Sequence, residues 1–403
     1  MGKGESSGGR EVVVVGQART PMGALLGELA PLSAPQLGAV AIAGGLARAG
    51  LAADQIHEVI MGCVLSAGLG QAPARQAALG AGLPQGVACT TVNKVCGSGM
   101  KALMMAMDAI ALDPGLCIAA GGMESMSNAP HLLPRLRAGQ RLGHTQVVDH
   151  MFFDGLEDAY ETGCLMGHFA EDTARERQIT RADQDAFALA SLQRALEASR
   201  EGRFRPEITD LGVVNPGSPP IQDDEPPRRA RPEKIPTLKP AFHPDGTITA
   251  ANASSIADGA AALVLTIAEL ARDFGCRPLA RLVGYSGHAQ APSQFTTAPI
   301  PAIEKLLAKV GWGSADVDLW ELNEAFAVGT LAAMDGLKLP HERVNVFGGA
   351  CALGHPIGAS GARVVVTLIN ALQQLDKRRG VAAVSKGGCE ATPNHVEPLR
   401  GGM

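Results

Sequence analysis

Short continuous apolar runs alternate with longer stretches of helical spacing, first up to about residue 122 and again after residue 258. Residues 12–15 are a β-branched run bounded by Gly16, which predicts a buried strand. Residues 37–50 predict a helix rich in small side chains and ended by Gly50. Strands are predicted at 58–64, 90–95 and 117–120, and a helix at 100–112 stopped by Pro114-Gly115. The later half predicts strands at 260–266, 280–284 and 317–322, a helix at 360–375, and a last strand at 381–384. Strand and helix taking turns in this way point to an α/β fold with a largely buried sheet.

Between about 123 and 251 the chain is polar and irregular, with one clear helix at 181–200. Residues 216–240 are rich in proline and charge, which predicts an extended or looping course. An insertion of this kind over an α/β core is where a binding loop sits. The two ends resemble each other weakly. Val92-Asn93 before a glycine-rich turn and helix recurs as Val344-Asn345. Gly121-Gly122 followed by Glu124 recurs loosely as Gly387-Gly388 and Glu390, a sign of duplication.

Composition narrows the classes. Aromatics make up only 3% of the 403 residues, too few for a base-stacking platform, and the formal charge of −5 comes with no basic stripe. Nucleic acid is therefore not an expected partner. None of the 8 cysteines forms a Cys-x-x-Cys pair or a zinc spacing, so no metal is expected and the thiols read as free. No membrane span is expected, the start has no apolar signal core, and the end lacks the peroxisomal tripeptide, so the expected compartment is the cytoplasm.

Four places carry candidate chemistry. Cys96 lies where a strand turns into a helix, flanked by Gly97 and Gly99. The helix dipole there favours thiolate, and glycines leave N–H groups open to a substrate oxygen. A buried, inert cysteine is the competing reading. His355 sits among Gly348, Gly349, Gly354, Gly358 and Pro356 just before a helix, a natural place for a general base. Asn323 follows a strand and can hold a water or a carbonyl, or simply belong to a helix cap. Gly387-Gly388-Cys389 closes the last predicted strand and alone reads equally as a tight turn.

Together these blocks resemble the thiolase family. The match runs from about Val12 to about Glu397 and includes residues 17–21, 70–76, 121–127 and 245–254. The resemblance implies two similar α/β halves in a five-layered αβαβα sandwich with a loop domain. The implied division is 1–125 with 256–278, then 126–255, then 279–403. It implies an acyl-CoA C-acyltransferase that works by ping-pong through an acyl-cysteine on Cys96. His355 activates the thiol and, with a water on Asn323, stabilises the enolate oxygen. The N–H groups of Cys96 and Gly387 form a second oxyanion hole. Met166, Phe242, Ala250, Ser254 and Phe326 match CoA or acyl contacts, and Arg231 a basic residue near the nucleotide phosphates. CoA thioesters are then substrates and no prosthetic group is implied. The segment 128–149 has about the length of the family's tetramerisation loop, which implies a homotetramer built from two dimers.

One departure bears on the chemistry. Thiolases carry a second catalytic cysteine on the last strand; here Ser385 takes its place, Lys386 replaces a small or apolar residue, and Cys389 stands where a glycine is usual. A serine hydroxyl is a far weaker acid than a thiol, so it is a poor base. This raises a competing reading, a thiolase-fold protein that binds acyl-CoA but turns over poorly. Leu165 replaces the histidine that often precedes this methionine in acetoacetyl-CoA-specific members, which points to broader acyl-chain acceptance.

Overall fold

The computed structural model describes residues 11–399 apart from 213, 215, 216, 218 and 389. Nine strands carry the architecture: β1 (Val12–Arg19), β2 (Glu58–Gly62), β3 (Ala88–Val92), β4 (Ile118–Ser125), β5 (Ala257–Ile267), β6 (Ala280–Tyr285), β7 (Leu319–Leu322), β8 (Gly380–Lys386) and β9 (Glu390–Pro398). Their order is β7-β8-β9-β6-β1-β5-β4-β2-β3. The sequence is nearly a mirror image about its centre, where β1 and β6 meet antiparallel at Val13↔Arg281 and Val14↔Ala280. In the first half β2 runs parallel to β3 and β4, and β5 antiparallel to β4 and β1. In the second, β8 runs parallel to β7, and β9 antiparallel to β8 and β6. Val344 adds a parallel bridge to Trp320, in the place that Val92 on β3 holds in the first half. The duplication hinted at by the two Val-Asn pairs is thus present in the topology.

Helices complete five layers. Helices α1 (Ala34–Ala49) and α2 (Pro73–Gly80) cover the outer face of the first half. Helix α3 (Ser98–Leu112) lies in the middle. Helices α4 (Met166–Arg177) and α5 (Arg181–Arg200) belong to the insertion. Helices α6 (Pro299–Val310) and α7 (Ala327–Leu337) cover the second half, and α8 (Ser360–Gln374) shares the middle layer with α3. A Cβ on Gly99 would lie 2.8 Å from the Ala362 nitrogen, and one on Gly361 would lie 2.4 Å from the Met100 nitrogen. These glycines let α3 and α8 touch backbone to backbone, which brings the starts of both helices together.

Local signals explain the ends of the elements. Ser33 and Gln36 form a capping box on α1, and Gly50 closes it in the left-handed region at φ 69°. Thr180 caps α5 by accepting from the Asp183 N–H. The insertion is tied to the core by Arg19, fully buried on β1, whose guanidinium meets Glu207 at 2.6 Å and Asp224 at 2.7 Å. Breaking a buried pair of this kind costs about 3–5 kcal/mol.

Several expectations need correction. The last strand is not 381–384, because β9 follows it. Pro393 and Asn394 read against a strand, but pairing with β8 on one side and β6 on the other overrides that preference. The insertion holds α4 as well as α5, and its proline-rich stretch contains two short helical segments, Glu225–Arg229 and Pro232–Thr237. The stretch Val95–Leu112 is long and apolar enough to cross a membrane, against the expectation that none is. It contains α3, which packs in the central layer.

Candidate active site

Cys96 is aimed by a strained turn. Strand β3 ends at Val92 and α3 begins at Ser98. Between them Val95 sits at φ 49°, a left-handed conformation that a β-branched residue rarely adopts. Three hydrogen bonds hold it: Val95 N to Asn93 Oδ1 at 3.0 Å, Lys94 N to Ser98 Oγ at 2.8 Å, and Ser98 Oγ to the Val95 carbonyl at 2.6 Å. Cys96 is left half-buried, with its side chain in a cavity of about 300 Å³.

His355, Ser385, Gly387, Met166, Phe242, Ser254 and Phe326 line the same cavity. Burial pushes the Cys96 thiol up to about 11; the backbone N–H groups of Gly387 and Cys96 oppose this, as does the charge of Lys386. Burying the anion costs more than the helix start and its N–H groups return.

His355 is buried, and its N–H donates to the Ser255 carbonyl at 2.9 Å. Its Nδ1 lies 2.6 Å from Ser360 Oγ, and that hydroxyl donates to the Pro356 carbonyl at 3.0 Å. With the serine proton so committed, Nδ1 carries the ring hydrogen and Nε2 is left as an acceptor. Nε2 is buried and makes no hydrogen bond among the described residues. Burial, with the nearby Arg363 charge, lowers the ring pKa to about 3, so the imidazole is neutral. The Asn323 amide nitrogen lies 3.5 Å from Nδ1, a weak contact, and its Oδ1 has no partner among the described residues.

Glu124 holds the His355 loop in place. Its buried carboxylate accepts from the N–H groups of Val64 at 3.0 Å, Leu65 at 3.1 Å and Gly358 at 2.9 Å. Burial raises its pKa to about 7. Glu324 does similar work one turn away, accepting from Asn345 Nδ2, Ser191 Oγ and the Cys351 N–H.

A second groove, about 640 Å³, adjoins the cavity, and Ser254 and Ile256 line both. Ala250 and Arg231 line this groove, together with Arg229 and Lys234 at its rim. The cavity is apolar and the groove is basic, a division that suits an acyl chain at one end and an anionic carrier at the other. Among the described residues no cluster of His, Cys, Asp or Glu is arranged to hold a metal ion.

The sequence-derived candidates thus meet in two connected spaces, apart from Asn323, which lines a small recess beside Ser385. Cys389 lies outside the described residues. Lys386 is only 7% exposed at the end of β8, and its charge acts on Cys96. The strain at Val95, the orienting role of Ser360 and the anchor at Glu124 were not read from the sequence. A serine five residues past His355 at a helix start was the available signal for Ser360; the other two depend on tertiary contacts.

Residues 12–269 match the thiolase N-terminal domain and residues 276–397 the thiolase C-terminal domain. The chain belongs to the thiolase family. Among its relatives, acetyl-CoA acetyltransferase 2 of Arabidopsis thaliana is 49% identical, over 98% of this chain and 99% of that protein. A probable acetyl-CoA acetyltransferase of Dictyostelium discoideum is 46% identical, over 96% and 94%. Among solved structures, the Ascaris suum Acat5 thiolase in complex with coenzyme A is 43% identical with a TM-score of 0.91, covering 97% of this chain and all of that one. The Bacillus anthracis acetyl-CoA acetyltransferase is 38% identical with a TM-score of 0.93, covering 97% and 99%. The thiolase fold of this chain, two similar halves in five layers, accords with these matches.

Proposed function

We propose that this thiolase is an acyl-CoA C-acyltransferase that condenses acetyl-CoA and cleaves short 3-ketoacyl-CoA. The observation that carries the reading is the meeting of Cys96, His355 and Gly387 in one apolar cavity, where the Gly387 and Cys96 N–H groups favour the Cys96 anion. The full-length relatives named acetyl-CoA acetyltransferase support it.

In the first half-reaction Cys96 Sγ attacks the thioester carbonyl while His355 Nε2 takes the thiol proton. The transfer accompanies attack, because a thiol near 11 does not give its proton to an imidazole near 3 at rest. Charge developing on the carbonyl oxygen meets the two N–H groups. The carbon–sulfur bond to CoA breaks, and the imidazolium returns the proton to the departing thiolate. In condensation the acyl group on Cys96 then passes to the α-carbon of a second acetyl-CoA: the carbon–carbon bond forms as the bond to Sγ breaks, and the α-proton lost by the acetyl group is balanced by the proton that the Cys96 thiolate regains. Thiolysis runs the other way: Sγ attacks the 3-keto carbonyl, the Cα–Cβ bond breaks, acetyl-CoA leaves with a proton on its α-carbon, and the acyl group passes to free CoA. Asn323 holds a water beside His355 for the enolate oxygen. Met166, Phe242 and Phe326 enclose the acyl end, Ala250 and Ser254 follow the pantetheine arm, and Arg231 faces the phosphates. No bound metal or prosthetic group takes part.

Ser385 stands where a second thiol is usual. The alternative of a binding protein with impaired turnover draws no support from the relatives, which are named as transferases. Steady-state thiolysis of acetoacetyl-CoA by free CoA, run beside Ser385→Cys, tests the reading. Turnover at an ordinary enzyme rate by the unaltered chain supports it; a nearly inactive chain rescued by orders of magnitude in Ser385→Cys contradicts it. We also propose a tetramer of two dimers. The hairpin of His131-Leu132 with Val148-Asp149 leaves Leu136 and Leu142 exposed in its span, which suits a joining surface. Sedimentation velocity reads the assembly directly.

A further inference from the structure

Behind Ser385 lies a recess distinct from the acyl cavity. It measures about 10 Å³ and is lined by Thr296, Asn323, Thr330 and Ser385 among apolar neighbours that include Leu322, Ala333 and Ala383; the Thr296 hydroxyl is already paired with that of Thr173 at 2.6 Å. Cys96 and His355 do not line it. Thr330, Asn323 and Ser385 are 3%, 7% and 7% exposed. Thr330 Oγ1 and Asn323 Oδ1 are buried with no hydrogen-bond partner among the described residues. Buried polar atoms are seldom left unpaired, and each is costly when it is. A space of about one probe sphere with two to four polar groups around it is what a single ordered water needs.

We propose that one water occupies this recess and sets Ser385 as a hydrogen-bond donor into the acyl cavity. Thr330 sits on α7 and its hydroxyl takes no backbone carbonyl, so its proton is available to the water oxygen. The water then gives one hydrogen to Asn323 Oδ1 and the other to Ser385 Oγ. With its accepting side filled, Ser385 turns its own proton toward the cavity, which it also lines. There it meets the carbonyl oxygen of a bound acyl thioester. A serine is a poor base but a sound donor, so this role suits the residue that replaces the thiol. Thr330 acts through Ser385 and is a positioning residue. The inference rests on the acyl-transfer reading above.

The test pairs Thr330→Val, which keeps shape and removes the hydroxyl, with Thr330→Ser, which restores it, each in the native and the Ser385→Ala background. Matching melting curves establish that all variants fold. The expected result is a loss of about five- to tenfold in kcat for Thr330→Val with little change in KM, recovery in Thr330→Ser, and no further loss when Thr330→Val is added to Ser385→Ala. Equal losses in both backgrounds, or none in either, overturn the proposal. A crystal structure gives a second reading that needs no activity. An ordered water bonded to Thr330 and Ser385, absent in Thr330→Val, supports it, and a dry recess overturns it. An unaltered chain without acyl transfer but with the water in place sinks the functional reading alone.

Discussion

Glutamine at position 124 keeps the outline of the side chain and removes one of its two acceptor oxygens. In the native chain one oxygen accepts from Val64 and Gly358, and the other from Leu65 and, more distantly, the Cys63 thiol. The cheaper orientation of Glu124→Gln keeps the amide oxygen on Val64 and Gly358, and turns NH₂ against the Leu65 N–H. One buried donor loses its partner, at about 1–3 kcal/mol. Glu124→Ala orphans all three N–H groups, for a loss upward of about 3 kcal/mol, a large share of the stability of an ordinary domain. Because Gly358 lies three residues from His355, the loop that carries the base loosens at the same time. Urea denaturation gives the stability change, and kcat/KM for thiolysis gives the functional one. Both should fall for glutamine and fall further for alanine. A Glu124→Gln protein with native stability and native kcat/KM would refute the claim that this carboxylate anchors the site.

Three further outcomes are expected. Lys386→Met removes a positive charge that favours the Cys96 thiolate, so the pH dependence of Cys96 alkylation by iodoacetamide should move to higher pH, while Lys386→Arg holds it; an unmoved profile contradicts the role. Both polar side-chain atoms of Asn394 are buried without a partner among the described residues, so Asn394→Val should stabilise the chain by about 1–3 kcal/mol in urea denaturation. Burial and the Arg379 charge hold His395 at about 3, below the unfolded value of 6.5, so the unfolded chain binds the proton first as pH falls. The stability tied to this neutral ring is complete above 6.5 and lost toward 3; measured against His395→Leu, the difference should shrink by about 1.4 kcal/mol per pH unit across that window, and a constant difference would contradict it.

The alternation of apolar runs and helical spacing carried most of the first half and the pairing of the two halves, because β1, β4, β5 and β8 are fully buried along their length and so read as continuous runs. Strand β9 did not read that way. Its Pro393, Asn394 and His395 are polar or strand-breaking, and only its two neighbours make it a strand. Helix α6 and the short helical segments at 225–237 were missed for a related reason, since prolines at their starts look like loop signals until they are seen at first-turn positions. At the site, Cys96 and His355 stood out because glycine surrounds them. The resting protonation of Cys96 did not follow from its helix start, because the burial that outweighs the dipole is set by residues such as Met166 and Ile357 far along the chain.

The account stands on Cys96 as the group that carries the acyl chain. Brief incubation with acetyl-CoA, followed by acid quench and peptide mass spectrometry, measures this most directly. The account predicts the mass of one acetyl group on the peptide that contains Cys96, released on adding free CoA and absent in Cys96→Ala. An unmodified Cys96 in a chain that still turns over acetoacetyl-CoA, or an acetyl group on another cysteine, would contradict it.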